Sequence, residues 1–525
     1  MDTDFIQLGA SFRNFLPEIV LGAFFVLALV AESFARSSSA RRALAAFAFV
    51  GFAIAGWLAF AQVPLTENDF RGEWIFRAGY QAFGQGMLVI DTFAIFFKVL
   101  IAIAGMLVII FSMLSRELVT DGKPRLGEYY SLLLAMTFGM YLMVGANDLL
   151  LMYMAIEIVS LSSYSIVGFI KRVPRAAEAS MKYVIYGGVS SGIMLFGISL
   201  LYGIVGSTNF GDIFAFVGTP NAETAPLTAF TLAMVMVMAG IGYKISAAPF
   251  HFWTPDVYEG APITMTAYLS VASKAAGFAL LVRFLVSAFP APMQGFDWRM
   301  LIAIISVATM SLGNLAALQQ TNLKRLLAYS SIAHAGYMLM GLVVGSTYGI
   351  TAILVYFAVY LLMNLGGFFA IQKIAEQIGS EEIDDYKGLG ARMPVVGVLL
   401  GVFMISLVGL PPTAGFIGKL FLFSAIVQDG SEWLWLAVVG VVNSVISLYY
   451  YVRVLKVMYL DKAPEGDTGP VTIERGSVAI LGVLAVATLL FGLPNFFGPL
   501  TNIAQQSLGT LAQLLRDSGS MLGGL

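Results

Sequence analysis

The sequence has 525 residues, of which 59% are hydrophobic and only 11% are charged, against roughly 25% charged in an average soluble protein. Its mean hydropathy of +0.85 identifies a polytopic membrane protein, and its formal charge of −2 excludes a nucleic-acid binder, which would carry a basic surplus. The chain has no cysteine and two histidines, which excludes cysteine-ligated iron–sulfur clusters, thiolate zinc sites and a multihaem cytochrome.

Membrane-spanning helices account for most of the chain. A spanning helix needs about 20 mostly apolar residues, and lipid offers the backbone no hydrogen-bond partners. Fourteen apolar stretches meet this requirement and are too long and too continuous for the strands of a barrel. They are residues 15–35, 42–62, 90–114, 128–145, 149–170, 180–205, 227–258, 263–286, 300–319, 325–345, 349–377, 395–427, 433–459 and 477–498. The predicted fold class is an all-α polytopic membrane helix bundle.

The basic residues predict how this bundle is oriented. Apart from five lysines, the lysine and arginine residues in the connections and near the span ends divide 18 to 6 between the two sides, and the richer side is expected to be cytoplasmic. Because fourteen is even, both termini should face outward, into the periplasm of a bacterium. The five remaining cations are all lysines inside predicted spans, namely Lys98, Lys182, Lys244, Lys274 and Lys419.

Two of the predicted spans are too long to be straight helices. A straight helix over residues 227–258 or 395–427 would measure about 48 Å at about 1.5 Å per residue, whereas the apolar core of a bilayer is about 30 Å thick. The first contains Pro249, and the second contains Pro411 and Pro412. Proline removes a backbone donor and clashes with the preceding turn, so both spans are predicted to be discontinuous, as at many transport sites.

The positions of the two broken spans suggest an internal repeat. Residues 128–286 and 300–459 each contain five predicted helices, and the broken helix is the fourth in both blocks. Since five is odd, the second block enters the membrane from the opposite side, which predicts an inverted repeat. A three-helix segment at 1–127 precedes the blocks, and a last helix and tail at 477–525 follow them.

Three intramembrane lysines are the leading candidates for function. A lysine near the bilayer centre costs about 2.5–3.5 kcal/mol or more, and removal from water disfavours the charged form of an amine. Such an amine can exchange a proton. Lys244 lies at the first break, Lys419 follows the second, and Lys274 lies near the middle of span 263–286. The alternative for each is a snorkelling or structural lysine.

Other ionisable residues in the spans are weaker candidates. Glu157 is the one acid deep in a span of the first block, where a carboxylate is expected to have a lysine partner. Lys182 either belongs to the site or is a cation at the membrane edge. His334 is either functional or a satisfied core histidine. We expect His251 and Lys98 to be structural.

Three stretches resemble the antiporter-like membrane subunits of respiratory complex I and the related Mrp-type cation/proton antiporters. The first is YKISAAPFHFWTPDVYEGAP at 243–262, and the second is KRLLAYSSIAHAGY at 324–337. The third, GLPPTAGFIGK at 409–419, is similar to the N-type subunits. The M-type carries glutamate at the place of Lys419, and the L-type has a long lateral helix after its bundle; neither feature is expected here.

The resemblance implies roles for matching residues. Glu157 and Lys182 would form a charge pair, while Lys244, Lys274 and Lys419 would carry protons. No cofactor is expected in this chain, because NADH, FMN, the iron–sulfur clusters and quinone would belong to partner subunits. The implied partners are other membrane subunits, including neighbouring antiporter-like ones, in a bacterial inner membrane.

Three hypotheses about function remain open from the sequence. The first is a proton-translocating, non-redox subunit of an NADH:quinone oxidoreductase, driven by electron transfer in other subunits. The second is an Mrp-type Na⁺/H⁺ antiporter subunit driven by an ion gradient. The third is a scaffold that only packs the complex, which the five intramembrane lysines disfavour.

Overall fold

The computed structural model confirms the all-α helix bundle. It describes residues 12–34, 38–63, 73–77, 86–118, 126–171, 173–217, 227–289, 297–463, 469–509, 511–512 and 515. The first part contains α1 (Leu16–Phe34), α2 (Ser38–Phe60), β1 (Glu73–Arg77), β2 (Gly86–Ile90), α3 (Thr92–Met113), α4 (Leu126–Gly145), α5 (Leu149–Val167), α6 (Pro174–Val205), α7 (Phe210–Val217), α8 (Leu227–Ile245) and α9 (Trp253–Gly260).

The second part begins with α10 (Ile263–Ala288). It continues with α11 (Trp298–Ala317), α12 (Leu323–Val343), α13 (Thr347–Ile378), α14 (Pro394–Val408), α15 (Ala414–Gln428), α16 (Leu434–Tyr459), α17 (Arg475–Leu490) and α18 (Pro494–Gln506). Short helical turns at Ile383–Tyr386 and Leu389–Arg392 connect α13 to α14.

All fourteen predicted spans coincide with helices, although fewer of them are uninterrupted apolar helices. In the part of the chain that the structure describes, eleven helices are long and apolar enough to cross a membrane, or twelve if α17 and α18, which meet at 86°, count as one. The difference arises from α4, which falls outside that set, and from the second broken span, which divides into α14 and α15 of 15 residues each.

Polar caps fix where several spans begin. The carboxylate of Asp91 accepts the N–H of Ala94 at 2.8 Å at the start of α3. Asp148 plays the same part for α5, and Asn322 caps α12. Such caps satisfy backbone donors that a helix cannot satisfy itself. The helices that carry the candidate residues therefore start at defined positions.

A short two-stranded ribbon supplements the helices. β1 and β2 pair in antiparallel register, with Glu73 opposite Ile90. Asp91 follows β2 directly, and both of its carboxylate oxygens accept from the guanidinium group of Arg283 in α10 at 2.8 and 2.9 Å. This buried bidentate pair joins the N-terminal segment to the first five-helix block.

The centre of the bundle is formed by three helices that have almost no exposed surface. They are α10, α12 and α13, whose spanning segments are nearly wholly buried. α10 belongs to the first predicted block, whereas α12 and α13 belong to the second. The ionisable residues on these helices therefore lie where the two blocks meet. The inverted relation between the blocks stays a prediction.

Candidate functional site

The first broken span is held open by hydrogen bonds to side chains. Residues 246–252 connect α8 to α9. The N–H of Ala248 donates to Oγ1 of Thr309 in α11 at 2.9 Å. The indole Nε1 of Trp253 donates to the carbonyl of Tyr243 at 3.0 Å. These bonds replace those that a continuous helix would make, so the break is a defined structure.

Lys244 lies in the last turn before this break. Its side chain is buried, and Nζ donates to Oγ of Ser160 in α5 at 3.2 Å. Glu157 lies one turn earlier on α5 and interacts electrostatically with Lys244. The Glu157 carboxylate accepts a short hydrogen bond from Ser191 in α6. The first site thus holds an amine bound to Ser160 and a carboxylate bound to Ser191.

Lys182 does not form the charge pair with Glu157 that the resemblance implied. Its Nζ forms ion pairs with Glu178 at 2.7 Å and with Asp256 at 2.8 Å, and its side chain is 39% exposed. The hydroxyl that does reach Glu157 belongs to Ser191, about 13 Å further along α6 at about 1.5 Å per residue. Lys182 is therefore too far along α6 to reach Glu157.

Lys274 follows a distortion of its own helix. Residues Leu269–Ser273 form a π-helical turn within α10, a feature frequently found at functional sites. The buried Nζ of Lys274 donates to the carbonyl and to Oγ of Ser331 in α12, each at 2.9 Å. A lysine of the first block is thus bound by a serine of the second.

His334 continues the polar contacts along α12. It lies three residues after Ser331, so the two side chains share one face of the helix. Its Nδ1 is 2.6 Å from the hydroxyl of Tyr356 in α13, and its Nε2 is 3.2 Å from the hydroxyl of Tyr451 in α16. Both Lys274 and Lys419 interact electrostatically with the imidazole. His334 therefore lies between the two lysines.

Lys419 reaches back across the second break. Its Nζ donates to the carbonyl of Val408, the last residue of α14, at 2.6 Å. It also donates to Oγ of Ser444 in α16 at 2.9 Å and lies 4.8 Å from the ring centre of Tyr337. The carboxyl end of a helix carries partial negative charge, and an aromatic face also attracts cations. Among the described residues, the second site binds its amine through a carbonyl and a hydroxyl group, and no carboxylate forms an ion pair with it.

Two glycines permit the close packing at these sites. A Cβ atom at Gly277, one turn after Lys274, would lie 2.7 Å from Cγ2 of Ile245, closer than packed atoms tolerate. A Cβ at Gly409 would lie 2.8 Å from Cδ of Lys419, and Gly409 has a φ of +88°, which favours glycine. The backbone at Gly277 can therefore pack against Ile245, next to Lys244, and the backbone at Gly409 can pack against the side chain of Lys419.

Glu117 fixes the start of the helix that carries Lys274. It lies after α3, and its carboxylate accepts the N–H of Ile263, the first residue of α10, at 3.0 Å. Burial raises the pKa of Glu117 above its ordinary value, while the nearby charge of Lys324 opposes this shift. The N-terminus of α10 is thus capped by another segment of the chain.

Of the two residues expected to be structural, Lys98 lies off this series, whereas His251 interacts electrostatically with Lys274. Lys98 forms an ion pair with Glu18 at 2.5 Å, and both side chains are fully buried between α1 and α3. Its ammonium also lies 5.7 Å from the ring centre of Tyr141. His251 lies in the first break, where its ring is tilted against that of Phe252 with ring centres 4.4 Å apart. The structure thus gives Lys98 a partner far from the other lysines.

The sequence did not point to several polar partners. Ser331, Tyr356, Tyr451 and Ser444 hold the amines and the imidazole, yet hydroxyl groups are common in membrane helices and carry little energetic penalty. Asp256 lies where the second half of the broken span meets the surface.

Among the described residues, no group of three or more histidine, aspartate or glutamate side chains is placed to hold a metal ion.

Comparison with known proteins places the chain in a family. The family described as NADH:quinone oxidoreductase/Mrp antiporter, transmembrane, matches residues 146–447. The chain is 43% identical to NADH-quinone oxidoreductase subunit N 2 of Chloroherpeton thalassium, over 98% of this chain and 97% of the relative. The chain therefore belongs to the NADH:quinone oxidoreductase/Mrp antiporter family. This and further curated relatives carry the name subunit N, which confirms the resemblance to N-type subunits.

Solved structures agree with this assignment. A chain of respiratory complex I from Thermus thermophilus is 28% identical and superposes with a TM-score of 0.71 over 92% of this chain and 98% of that chain. A chain of the Mrp complex from Dietzia is 21% identical, with a TM-score of 0.81 over 97% of this chain and 99% of that chain. The second likeness concerns the fold alone.

Proposed function

We propose that the chain is a proton-translocating, non-redox membrane subunit of an NADH:quinone oxidoreductase. The observation that carries the proposal is a series of ionisable side chains inside the bundle, in which the lysines and the histidine are buried and Glu157 is partly buried. Glu157 and Lys244 form one end, Lys274 and His334 the middle, and Lys419 the other end. The three lysines and the histidine each form a hydrogen bond with a hydroxyl or carbonyl group of a neighbouring helix.

In this proposal the proton moves between amines. A proton enters a half-channel from the cytoplasm and reaches Lys244, where Glu157 stabilises the charged amine. It passes to Lys274 and then, through the Ser331 and His334 face of α12, to Lys419. From there it leaves outward. Electron transfer in partner subunits would supply the energy, and those subunits would hold NADH, FMN, iron–sulfur clusters and quinone.

A replacement of Lys244 tests the proposal in the assembled complex. Arginine has a pKa above about 12 and does not release its proton, so Lys244→Arg keeps the charge but should stop transfer. Lys244→Met removes the carrier and should have the same effect. The measurement is proton translocation and NADH:quinone activity in membranes, normalised to the amount of assembled complex. Normal translocation by Lys244→Arg would refute the role of the lysine.

The antiporter alternative predicts a different dependence. A self-contained Na⁺/H⁺ antiporter would exchange protons for sodium in vesicles that contain no NADH-oxidising subunits. Identity near 43% to a subunit N over nearly the whole chain favours the oxidoreductase, whereas the Mrp likeness supports only the shared fold. Copurification with NADH:quinone reductase activity would decide between them.

The orientation is part of the proposal. The 18-to-6 charge distribution favours cytoplasmic placement of the α5–α6 connection and outward placement of both termini, in a bacterial inner membrane. The chain contains no native cysteine, so Lys171→Cys and Ser431→Cys can be labelled without background. An impermeant maleimide should label the first only from the cytoplasm and the second only from outside. Labelling of both from one side would overturn the orientation.

A further inference from the structure

The second half of the first broken span, α9, is held by ion pairs from two other helices. Oδ2 of Asp256 accepts from Nζ of Lys182 in α6 at 2.8 Å. Oδ1 of the same carboxylate accepts from the guanidinium group of Arg325 in α12 at 2.6 Å. Asp256 therefore joins a helix of the first block to a helix of the second.

The neighbouring charges extend this contact into a balanced group. Arg325 also donates to Glu259 of α9 at 3.0 Å, and Arg175 lies 3.7 Å from Glu259. Lys182 pairs in addition with Glu178 at 2.7 Å. These six side chains line a surface cavity of about 170 Å³. Three cations thus face three carboxylates at the mouth between α6, α9 and α12.

Both ends of α9 are tied to the candidate proton path. At its start, Trp253 donates to the carbonyl of Tyr243, the residue directly before Lys244. At its end, Nζ of Lys324 donates to the carbonyl of Ala261 at 3.0 Å. Lys324 begins the helix whose Ser331 binds Lys274. A displacement of α9 would therefore act on both lysine sites.

Lys182 has different surroundings from the three buried lysines. Its ammonium contacts two carboxylates and its side chain is 39% exposed. Lys244, Lys274 and Lys419 are each at most 4% exposed, and their hydrogen-bond partners are hydroxyl and carbonyl groups. Carboxylate partners and water stabilise an ammonium group, so the Lys182 amine is suited to holding its charge rather than to passing a proton on.

We propose that Asp256 is a positioning residue, with Lys182 and Arg325 as its fixed counter-ions. It holds α9 in place and thereby keeps the Lys244 and Lys274 sites correctly positioned relative to each other. Lys182 then acts through its positive charge, which it keeps throughout, and it passes no proton to another group. The proposal rests on the proposed function and deepens it, because it assigns Asp256, Lys182 and Arg325 a role distinct from that of the buried amines.

The test compares arginine substitutions at two lysines. Lys182→Arg retains a permanent positive charge, so the assembled complex should translocate protons within about twofold of the native rate, the scale expected for changes in an exposed ion pair. Lys182→Met should translocate less than Lys182→Arg. Lys244→Arg, measured in the same membranes, should lose translocation. This pattern requires a fixed charge at position 182 and a proton carrier at position 244.

Asp256→Asn tests the carboxylate, and Arg175→Gln is the matched control. Asp256→Asn removes the charge that joins Lys182 to Arg325 and should lower protons moved per NADH oxidised, with normal assembly. Arg175 is 73% exposed, and its contact with Glu259 is long, at 3.7 Å. Its replacement should therefore leave the number of protons moved per NADH oxidised unchanged.

Two outcomes would overturn the positioning role. One is loss of translocation in Lys182→Arg as complete as in Lys244→Arg, with normal assembly, which would make Lys182 a carrier. The other is a native ratio in Asp256→Asn. Failure of the proposed function itself is distinguishable, because it appears as normal translocation by Lys244→Arg, whatever the variants of Lys182 and Asp256 do.

Discussion

The two broken helices bind their lysines by different means. Lys244 precedes its break, donates to Ser160 and interacts electrostatically with Glu157, which lies one turn before Ser160 on α5. Lys419 follows its break and donates to the carbonyl at the end of α14 and to Ser444. The first site stabilises its ammonium group with the formal negative charge of a carboxylate. The second uses the partial charge of a helix end, so the layout of the two blocks is similar but their electrostatics differ.

This difference suggests a division of labour between the sites. A carboxylate can itself change protonation, and its field on a nearby amine depends on that state. A helix carboxyl end has a fixed partial charge. In the proposed path, the surroundings of Lys244 therefore depend on the charge of a neighbouring side chain, whereas the helix end beside Lys419 presents the same partial charge to each proton that arrives.

The largest effect is expected from the residue between the two sites. Lys274→Met removes the amine that links them through Ser331, so both halves should be disconnected. We expect proton translocation to fall by about tenfold or more, the usual scale for loss of a proton-transfer group. Translocation in reconstituted vesicles measures it, with the amount of assembled complex as the control. A native rate would mean that protons bypass the centre of the bundle.

A smaller effect should separate backbone strain from displacement of Lys419. Gly409→Ala and Gly206→Ala both place alanine at a positive φ, of +88° and +80°, which costs each variant about 1 kcal/mol of stability. Only the methyl group at position 409 would lie 2.8 Å from the Lys419 side chain, since nothing lies within 4 Å of Gly206. Proton translocation should therefore fall in Gly409→Ala alone, although both variants should denature at a lower temperature than the native protein.

Glu157→Gln should be milder than the lysine replacements. The amide keeps the shape of the side chain and an acceptor for Ser191 but removes the negative charge near Lys244. If Glu157 adjusts the first amine and does not carry the proton, translocation should slow without being abolished, and NADH:quinone activity should follow it. A loss as complete as that of Lys244→Met would make Glu157 an obligatory carrier.

The smallest effect should come from the hydroxyl at the second site. Ser444→Ala removes one hydrogen bond from Lys419, but the carbonyl of Val408 and the face of Tyr337 remain. A typical hydrogen bond contributes about 0.5–1.5 kcal/mol, so we expect a modest reduction in translocation, smaller than that of Glu157→Gln. The same assay measures both, and a reversed order would contradict the contrast drawn between the sites.

Most of the fold and the buried part of the site follow from local energetics in the sequence. Apolar runs predict the spans, Pro249 and Pro411 predict the breaks, and lysines in apolar runs are rare because they are costly. The ion pair between Lys182 and Asp256 could not be predicted in this way. It joins residues 74 positions apart at the membrane edge, where charge carries little penalty.

The partners of the buried amines escaped prediction for a related reason. Ser331 and Tyr451 differ in no local respect from other hydroxyl residues in the spans, and only the packing of α10, α12 and α16 brings them to Lys274 and His334. The short ribbon at β1 and β2 was not predicted either, because five-residue strands outside the spans leave no strong pattern.

In the proposed path, the two broken helices carry the same proton in series. Its most direct test is proton translocation by vesicles containing complex with Lys244→Arg, with Lys419→Arg, or with both. We expect each single variant to lose this subunit's translocation and the double variant to be no worse than either one. Normal translocation by either single variant, or a double variant clearly worse than both, would contradict a single path through the two sites.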